Sequence, residues 1–323
     1  MSSVTDRRWI LVVPDDFIAS GHLWPRRWAL SKVLDRGVSR HLGIRRPIDV
    51  IGWTITGHAS ASSEWSPGPV CWRAEFDSDA PLGALRMDPV NLSAGPRGLC
   101  VSPPAALGVT EHEAVGIVGF VSETPEGGAL GLRMGSAQRW YGALPDVPDG
   151  NWWAPQEIAG EPVLDYLPAG ESGAGVRKLL NEIQVILHQS PENLSRRQRG
   201  VAEINSVWPW GWAARGLTRV AAQVAHVHAE DPYAVGLSIL AGVDHRSDVS
   251  GPGDLDGGGV VVADPGRISD PAWLEHRWCR PLVRALTRGR IDCLGVAVGS
   301  GCLYELTRRD LRRFWRTSGR TSA

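Results

Sequence analysis

Lysine is almost absent from this chain: Lys32 and Lys178 are the only two among 323 residues, and arginine carries the remaining basic charge. GC-rich coding produces such a bias, which by itself assigns no function. Cysteine is scarce as well. Cys71, Cys100, Cys279, Cys293 and Cys302 are odd in number, widely spaced and never in a C-x-x-C pair, which argues against a disulfide framework or a structural zinc site. No apolar run nears the roughly 20 residues that cross a bilayer, and Trp9–Val13, stopped by Pro14, is too brief for the core of a secretion signal. The expectation is a cytoplasmic protein with no membrane partner. A formal net charge of −1 gives the chain no global attraction for polyanions, so nucleic acid is not an expected partner. What remains, 43% hydrophobic and 21% charged, is a globular chain long enough for one large core or two domains.

Two short apolar runs read as buried strands: Trp9–Val13, and Pro47–Ile55 with Ile48, Val50, Ile51 and Trp53. Between them Trp24–Leu34 has helical spacing, and Ala59–Pro69 is a polar, proline-bearing loop. Thr110 and Glu113 form a T-x-x-E capping box that predicts a helix, while Ala129–Met134 and Arg139–Leu144 predict a hairpin. Val176–Gln189 is the clearest helix, its apolar face formed by Val176, Leu179, Ile183, Ile186 and Leu187. Thr218–Ala229 predicts another helix, and Asp248–Gly259 a glycine- and aspartate-rich loop ahead of a strand over Val260–Ala263. Asp270 and Pro271 mark the start of a helix through Leu286, disturbed at Pro281. Ile291–Val298 and Leu303–Leu306 form a hairpin about Gly299-Ser300-Gly301, and Arg308–Arg316 a short basic helix. Alternating strands and helices give an α/β fold with a mixed sheet flanked by helices. The proline- and glycine-rich stretch 146–175 is a candidate connection between an N-terminal α/β part, 1–145, and a C-terminal one, 176–323, unless the two form one continuous domain.

The densest signal is Asn205-Ser206-Val207-Trp208-Pro209-Trp210-Gly211-Trp212. Each indole buries a large area while its N–H needs an acceptor, so the segment belongs where apolar packing meets a polar edge. On the Val176–Gln189 helix, Asn181, Gln184 and His188 fall at i, i+3 and i+7 and share one stripe, which leads on to Asn193. These residues predict a pocket with amides and a neutral imidazole on one wall and Trp208 and Trp210, preceded by Asn205, on the other, suited to a small polar or phosphorylated ligand. The competing account is structural: a solvated helix face and tryptophans packed in a core.

A family resemblance rests on Asn181-Glu182-Ile183-Gln184, Leu187-His188, Pro191, Asn193, Arg197, Gly200 and the Asn205–Gly211 run. It extends to Arg139-Trp140-Tyr141, to Trp273 with Arg280-Pro281-Leu282, Leu286 and Arg290, and to Leu306–Leu311 with Phe314-Trp315-Arg316. These stretches resemble the RpfE-type bacterial regulatory proteins, which are similar in turn to the cofactor-independent, archaeal-type phosphoglycerate mutases. The resemblance implies an alkaline-phosphatase-like core, with two divalent metals and a serine or threonine nucleophile in the mutases. Trp212 and Ala213 stand where relatives tend to carry glycines, and Pro209 where a leucine is usual.

A two-metal centre needs several Asp and His ligands converging at strand ends and an activated hydroxyl between the ions. The mutase pattern implies Asp-Gly after the first strand; this chain has Pro14-Asp15-Asp16. Asp244-His245 with Asp248 is the one compact Asp/His cluster, with Asp254 and Asp256 nearby, and no serine or threonine stands in a nucleophile context. The expectation is a mutase-like protein that has lost its metal centre, needs no cofactor, and acts as a regulatory or small-ligand-binding protein. One alternative is an active phosphomutase or phosphatase holding Mn or Zn through Asp15 or Asp16 with Asp244, His245 and Asp248. Another is a scaffold for a protein partner, with no small ligand.

Overall fold

The computed structural model describes residues 7–15, 17, 25, 28–58, 65–144, 153–167, 170–171, 173–212, 217–248, 251–253, 255, 258–264 and 270–313. The chain divides into two compact units, 1–61 with 219–323, and 62–218. The stretch 146–175 therefore lies inside the second unit, and the chain changes units near 61 and 218 instead.

The first unit opens with β1 (Arg8–Val13), whose apolar run is buried on both faces, as a central parallel strand must be. Next come α1 (Ala29–Arg36), β2 (Val38–His41) and α2 (Pro47–Thr56). The expected strand over Pro47–Ile55 is thus a helix. A continuous Ile/Val run carries no period that separates a buried helix from a buried strand. The ends decide: Pro47 occupies the first turn, Asp49 adds negative charge there, and Gly57 takes the left-handed conformation at φ 81° that closes the helix. Helix α1 starts later than the predicted Trp24 and lacks a side-chain cap of its own. Its free amides at Ala29 and Leu30 donate instead to the buried Glu275 carboxylate, at 2.8 and 3.1 Å.

The second unit holds α3 (Pro67–Phe76), β3 (Ala84–Gly95), β4 (Gly98–Ser102), α4 (Pro104–Leu107), α5 (Glu111–Ser122) and α6 (Pro125–Leu130). It continues with β5 (Arg133–Ser136), β6 (Arg139–Ala143), α7 (Ala174–His188), α8 (Pro191–Gln198) and β7 (Ser206–Trp210). The hairpin is real, but Ala129 and Leu130 belong to α6 and its first strand begins at Arg133. The capping box is present, Thr110 accepting from the Glu113 amide and Glu113 from the Thr110 amide. β3 pairs antiparallel with β4, β6 and β7. Its Leu85 and Met87 join Ile183, Leu187 and Val207 in a core under α5 and α7.

Back in the first unit the chain forms β8 (His226–Ala229), α9 (Pro232–Ala241), β9 (Asp244–Arg246), β10 (Gly259–Val262), α10 (Pro271–Leu274), α11 (Arg280–Thr287), β11 (Cys293–Val298) and β12 (Cys302–Thr307). The expected helix over Thr218–Ala229 is not formed: 217–225 are irregular and 226–229 are strand. His226-Val227-His228-Ala229 alternates with period two, and the helix start belongs to Asp231-Pro232, where the Asp231 carboxylate caps two amides. Between α10 and α11 the segment Glu275–Cys279 makes wide π-type turns, so the helical path runs on through Pro281 without a break. The predicted helix over Arg308–Arg316 is reduced to a single turn at Asp310–Arg312; residues from Phe314 lie outside the described part.

These strands form a seven-stranded mixed sheet ordered β2-β12-β11-β1-β10-β8-β9, with β11, β1, β10, β8 and β9 mutually parallel. Trp9, Trp278, Leu294 and Val296 lie in its main core.

Two titrations follow. His228 is buried between the rings of Trp9 and Trp278, and burial lowers its pKa from 6.5 to about 4. The unfolded chain therefore binds a proton that the folded chain does not, and stability falls as pH drops from 6.5 towards 4. Denaturation midpoints measured over that window should show this slope, and His228→Leu should flatten it. Burial alone would raise Glu113, but the Thr110 amide, Arg199 and Arg196 overcome it and hold the carboxyl at about 2 against 4.5. That stability is complete above pH 4.5 and lost towards pH 2. Glu113→Gln should cost roughly 3 kcal/mol at neutral pH, read by urea denaturation, because it strands the buried Arg196.

Candidate functional site

Helix α7 buries Val176, Leu180, Ile183 and Leu187 and leaves Gln184 and His188, one turn apart, on the rim of a groove of about 440 Å³. The opposing rim is the strand-like approach to β7, with Glu203 and Asn205, and Asn91 of β3; Val201 and Ala202 supply an apolar margin. Both asparagines are committed to backbone. Asn205 accepts from the Leu92 amide at 2.7 Å and donates to its carbonyl at 2.8 Å, and Asn91 donates to the Glu203 carbonyl at 2.9 Å. Glu203 is held by Arg197 at 2.6 Å, and its Oε2 lies 3.9 Å from His188 Nδ1. Arg197 also donates to the His188 carbonyl at 3.2 Å, tying the end of α7 to α8.

The groove gathers Gln184, His188 and Asn205 of the expected pocket, and not the others. Asn181 is exposed on α7 and does not line it. Asn193 is fully buried and acts as a clamp: its amide donates to the carbonyls of Leu187 and Ile204, both at 2.8 Å, and accepts from the Ile204 amide at 2.9 Å. Trp208 and Trp210 do not form the opposite wall. Successive residues of a strand face opposite sides, and it is Val207 that joins the core beneath α7. Both indoles point the other way, Trp208 donating to the Trp153 carbonyl at 2.9 Å and Trp210 to Asp88 at 2.8 Å. Gly211, at φ 67°, ends the strand and accepts from the Gly68 amide at 2.7 Å.

On that second face lies a network the sequence analysis missed. Arg86 and Asp88, buried on β3, form a bidentate pair with both bonds at 2.9 Å. The guanidinium lies 5.2 Å from the Tyr141 ring centroid and 5.0 Å from that of Trp210. Burial pushes the Asp88 carboxyl up, against the pull of Arg86 and the Trp210 N–H, and pushes the Tyr141 hydroxyl up as well. The available signal was the charged pair Arg86-x-Asp88 inside the otherwise apolar run Ala84–Val90, two residues apart and so on one face. Nothing in the pair requires a ligand: its charges are satisfied within the protein. Asp88→Asn should destabilise by about 3–5 kcal/mol in chemical denaturation, since it leaves a buried guanidinium unpaired.

Among the described residues the expected metal ligands do not form one set. Asp15 follows β1 at the carboxyl edge of the seven-stranded sheet, where its Oδ1 accepts from the Ser300 amide at 2.6 Å. Asp244 opens β9 at the amino edge: its register runs through His226 and Gly259 to Trp9, near the start of β1. Three strand spacings of about 4.8 Å and the rise from Trp9 to Val13 at about 3.3 Å per residue separate Asp244 from the end of β1 by roughly 20 Å. A two-metal centre spans about 4 Å. Asp244 is instead paired with Arg246 at 2.9 Å and His226 at 3.3 Å, and His245 Nε2 lies 3.3 Å from the Ala229 carbonyl. Asp248 is buried, its carboxylate accepting from the Asp264 amide at 3.3 Å. Asp16, Asp254 and Asp256 lie outside the described residues. Among the described residues no group of three His, Cys, Asp or Glu side chains is arranged to hold a metal ion, and no helix is long and apolar enough to cross a membrane.

No family model matches the chain. Over 57 residues it is 35% identical to a probable 2,3-bisphosphoglycerate-independent phosphoglycerate mutase of Geobacter sulfurreducens, and over the same length 39% and 42% identical to such mutases of Methanosarcina mazei and Methanosarcina acetivorans. The matched stretch spans 18% of this chain and 14% of each of these relatives. Among solved structures the fold is similar to a cofactor-independent phosphoglycerate mutase from Thermoplasma acidophilum, with a TM-score of 0.40 and 16% identity over 93% of this chain and 89% of that one. It is similar also to the PH0037 protein from Pyrococcus horikoshii, with a TM-score of 0.47 and 12% identity over 94% of this chain and 88% of that one. What is plain is a mixed α/β fold with helix-flanked sheets and a short sequence likeness to the cofactor-independent mutases.

Proposed function

We propose that this chain is a phosphoglycerate-mutase-like protein that binds a small polar ligand in the groove beside α7 and serves a regulatory role, without the two-metal chemistry of the mutases. The observation that carries this is the meeting of Gln184 and His188 of α7 with Asn205 and with Asn91 of β3 on one groove of about 440 Å³. Amide, imidazole and carboxylate groups around a partly apolar margin are what a polar ligand needs for orientation. The loss of metal chemistry is supported by the ligand candidates themselves: Asp15 holds a turn, Asp244 holds Arg246, and the two stand at opposite edges of the sheet. That set does not fit a pair of ions.

The short likeness to the mutases favours a second reading, a metal-dependent phosphomutase or phosphatase that uses Mn or Zn. Elemental analysis after incubation with MnCl2 or ZnCl2 and desalting separates the two. The expected result is no stoichiometric metal, and no change on Asp15→Ala or Asp244→Ala. A pair of ions per chain, lost together in Asp15→Ala, would overturn the loss of the metal centre and favour the second reading.

A further inference from the structure

We infer that the groove beside α7 takes a neutral, polyhydroxylated small molecule and not a phosphorylated one, an inference that rests on the binding role proposed for that groove. Each asparagine spends one of its two amide N–H groups on backbone and keeps the other: Asn91 donates to the Glu203 carbonyl at 2.9 Å, and Asn205 to the Leu92 carbonyl at 2.8 Å. Because each partner is a backbone carbonyl, the amide nitrogens are identified, and Asn91 Oδ1 is left as an acceptor with no partner among the described residues. Glu203 meets Arg197 and His188 through Oε2, which leaves Oε1 open. The Gln184 side chain has no hydrogen bond among the described residues and can present its oxygen or its nitrogen.

The groove therefore offers amide donors and acceptors beside the Glu203 carboxylate, and no lysine or arginine lines it. A phosphate needs cationic groups converging on its oxygens, and here the rim carries a carboxylate instead. A cationic ligand is not favoured either, because Arg197 at 2.6 Å already balances the Glu203 charge. Hydroxyl groups fit: each can donate to a carboxylate or amide oxygen and accept from an amide N–H, while Val201 and Ala202 meet the C–H surface of a polyol ring.

The test titrates the full chain with myo-inositol and, separately, with inorganic phosphate, 3-phosphoglycerate and ethanolamine, following backbone amide shifts by NMR and heats by calorimetry. The expected result is saturable inositol binding with shifts centred on residues 184–205, weakened about tenfold in Gln184→Ala and in Glu203→Gln, the loss typical of one hydrogen bond left unmade. Saturable 3-phosphoglycerate, phosphate or ethanolamine binding at those residues in place of inositol would overturn the polyol inference and leave the groove as the binding site. Inositol shifts that are unsaturable, or that lie away from the groove, would also overturn it. No response at those residues to any of the probes would overturn the proposed binding role together with the inference.

Discussion

The side-chain amide of Asn193 is the constraint on which the second unit's site depends. It bonds the last turn of α7 through the Leu187 carbonyl and the approach to β7 through both polar groups of Ile204. A fully buried amide is tolerable only when its donors and acceptor are met, and here backbone meets them. The consequence is positional. With α7 and the 201–205 segment tied by one side chain, Gln184 and His188 face Glu203 and Asn205 across a groove of set width. Asn205, two residues before Val207, makes a second clamp of the same kind on Leu92, so the groove's floor is built from backbone held by side chains.

The tryptophan-rich segment shows how burial decides what a side chain is for. Trp210 finds its acceptor in Asp88, which in turn holds Arg86 in place between two aromatic rings. An indole N–H, a carboxylate and a guanidinium are each costly to bury alone and satisfy one another when buried together. The residues that stand out most in the sequence are thereby used for packing one face of a sheet, while plainer ones, Gln184 and Glu203, are left facing solvent with unused hydrogen-bond capacity.

In the first unit a parallel sheet separates its ends chemically. Residues that follow β1 and β9 lie at the carboxyl edge, where Asp15 and Asp248 each hold a backbone amide; residues that open the strands, Asp244 and His226, pair at the amino edge. Closeness of Asp244, His245 and Asp248 in sequence therefore brought no common site, because a strand of 3.3 Å per residue carries its two ends apart and sends neighbouring side chains to opposite faces.

Local signals were legible in the sequence wherever the chemistry was local. The Thr110–Glu113 box, the Asp270-Pro271 start, the amphipathic α7 and the buried run of β1 all follow from contacts within a few residues, and they form as the residues dictate. The stripe of Gln184 and His188 was legible for the same reason, since helical spacing alone puts them on one side. Tertiary structure decided the rest. It supplied the cap for α1 from Glu275, some 245 residues away. It also chose the face on which each tryptophan stands and set Asn193 inside the protein. The physical reason is common to all of these: what a buried polar group bonds to, and which side of a strand meets the core, depends on partners that only the folded chain brings within reach.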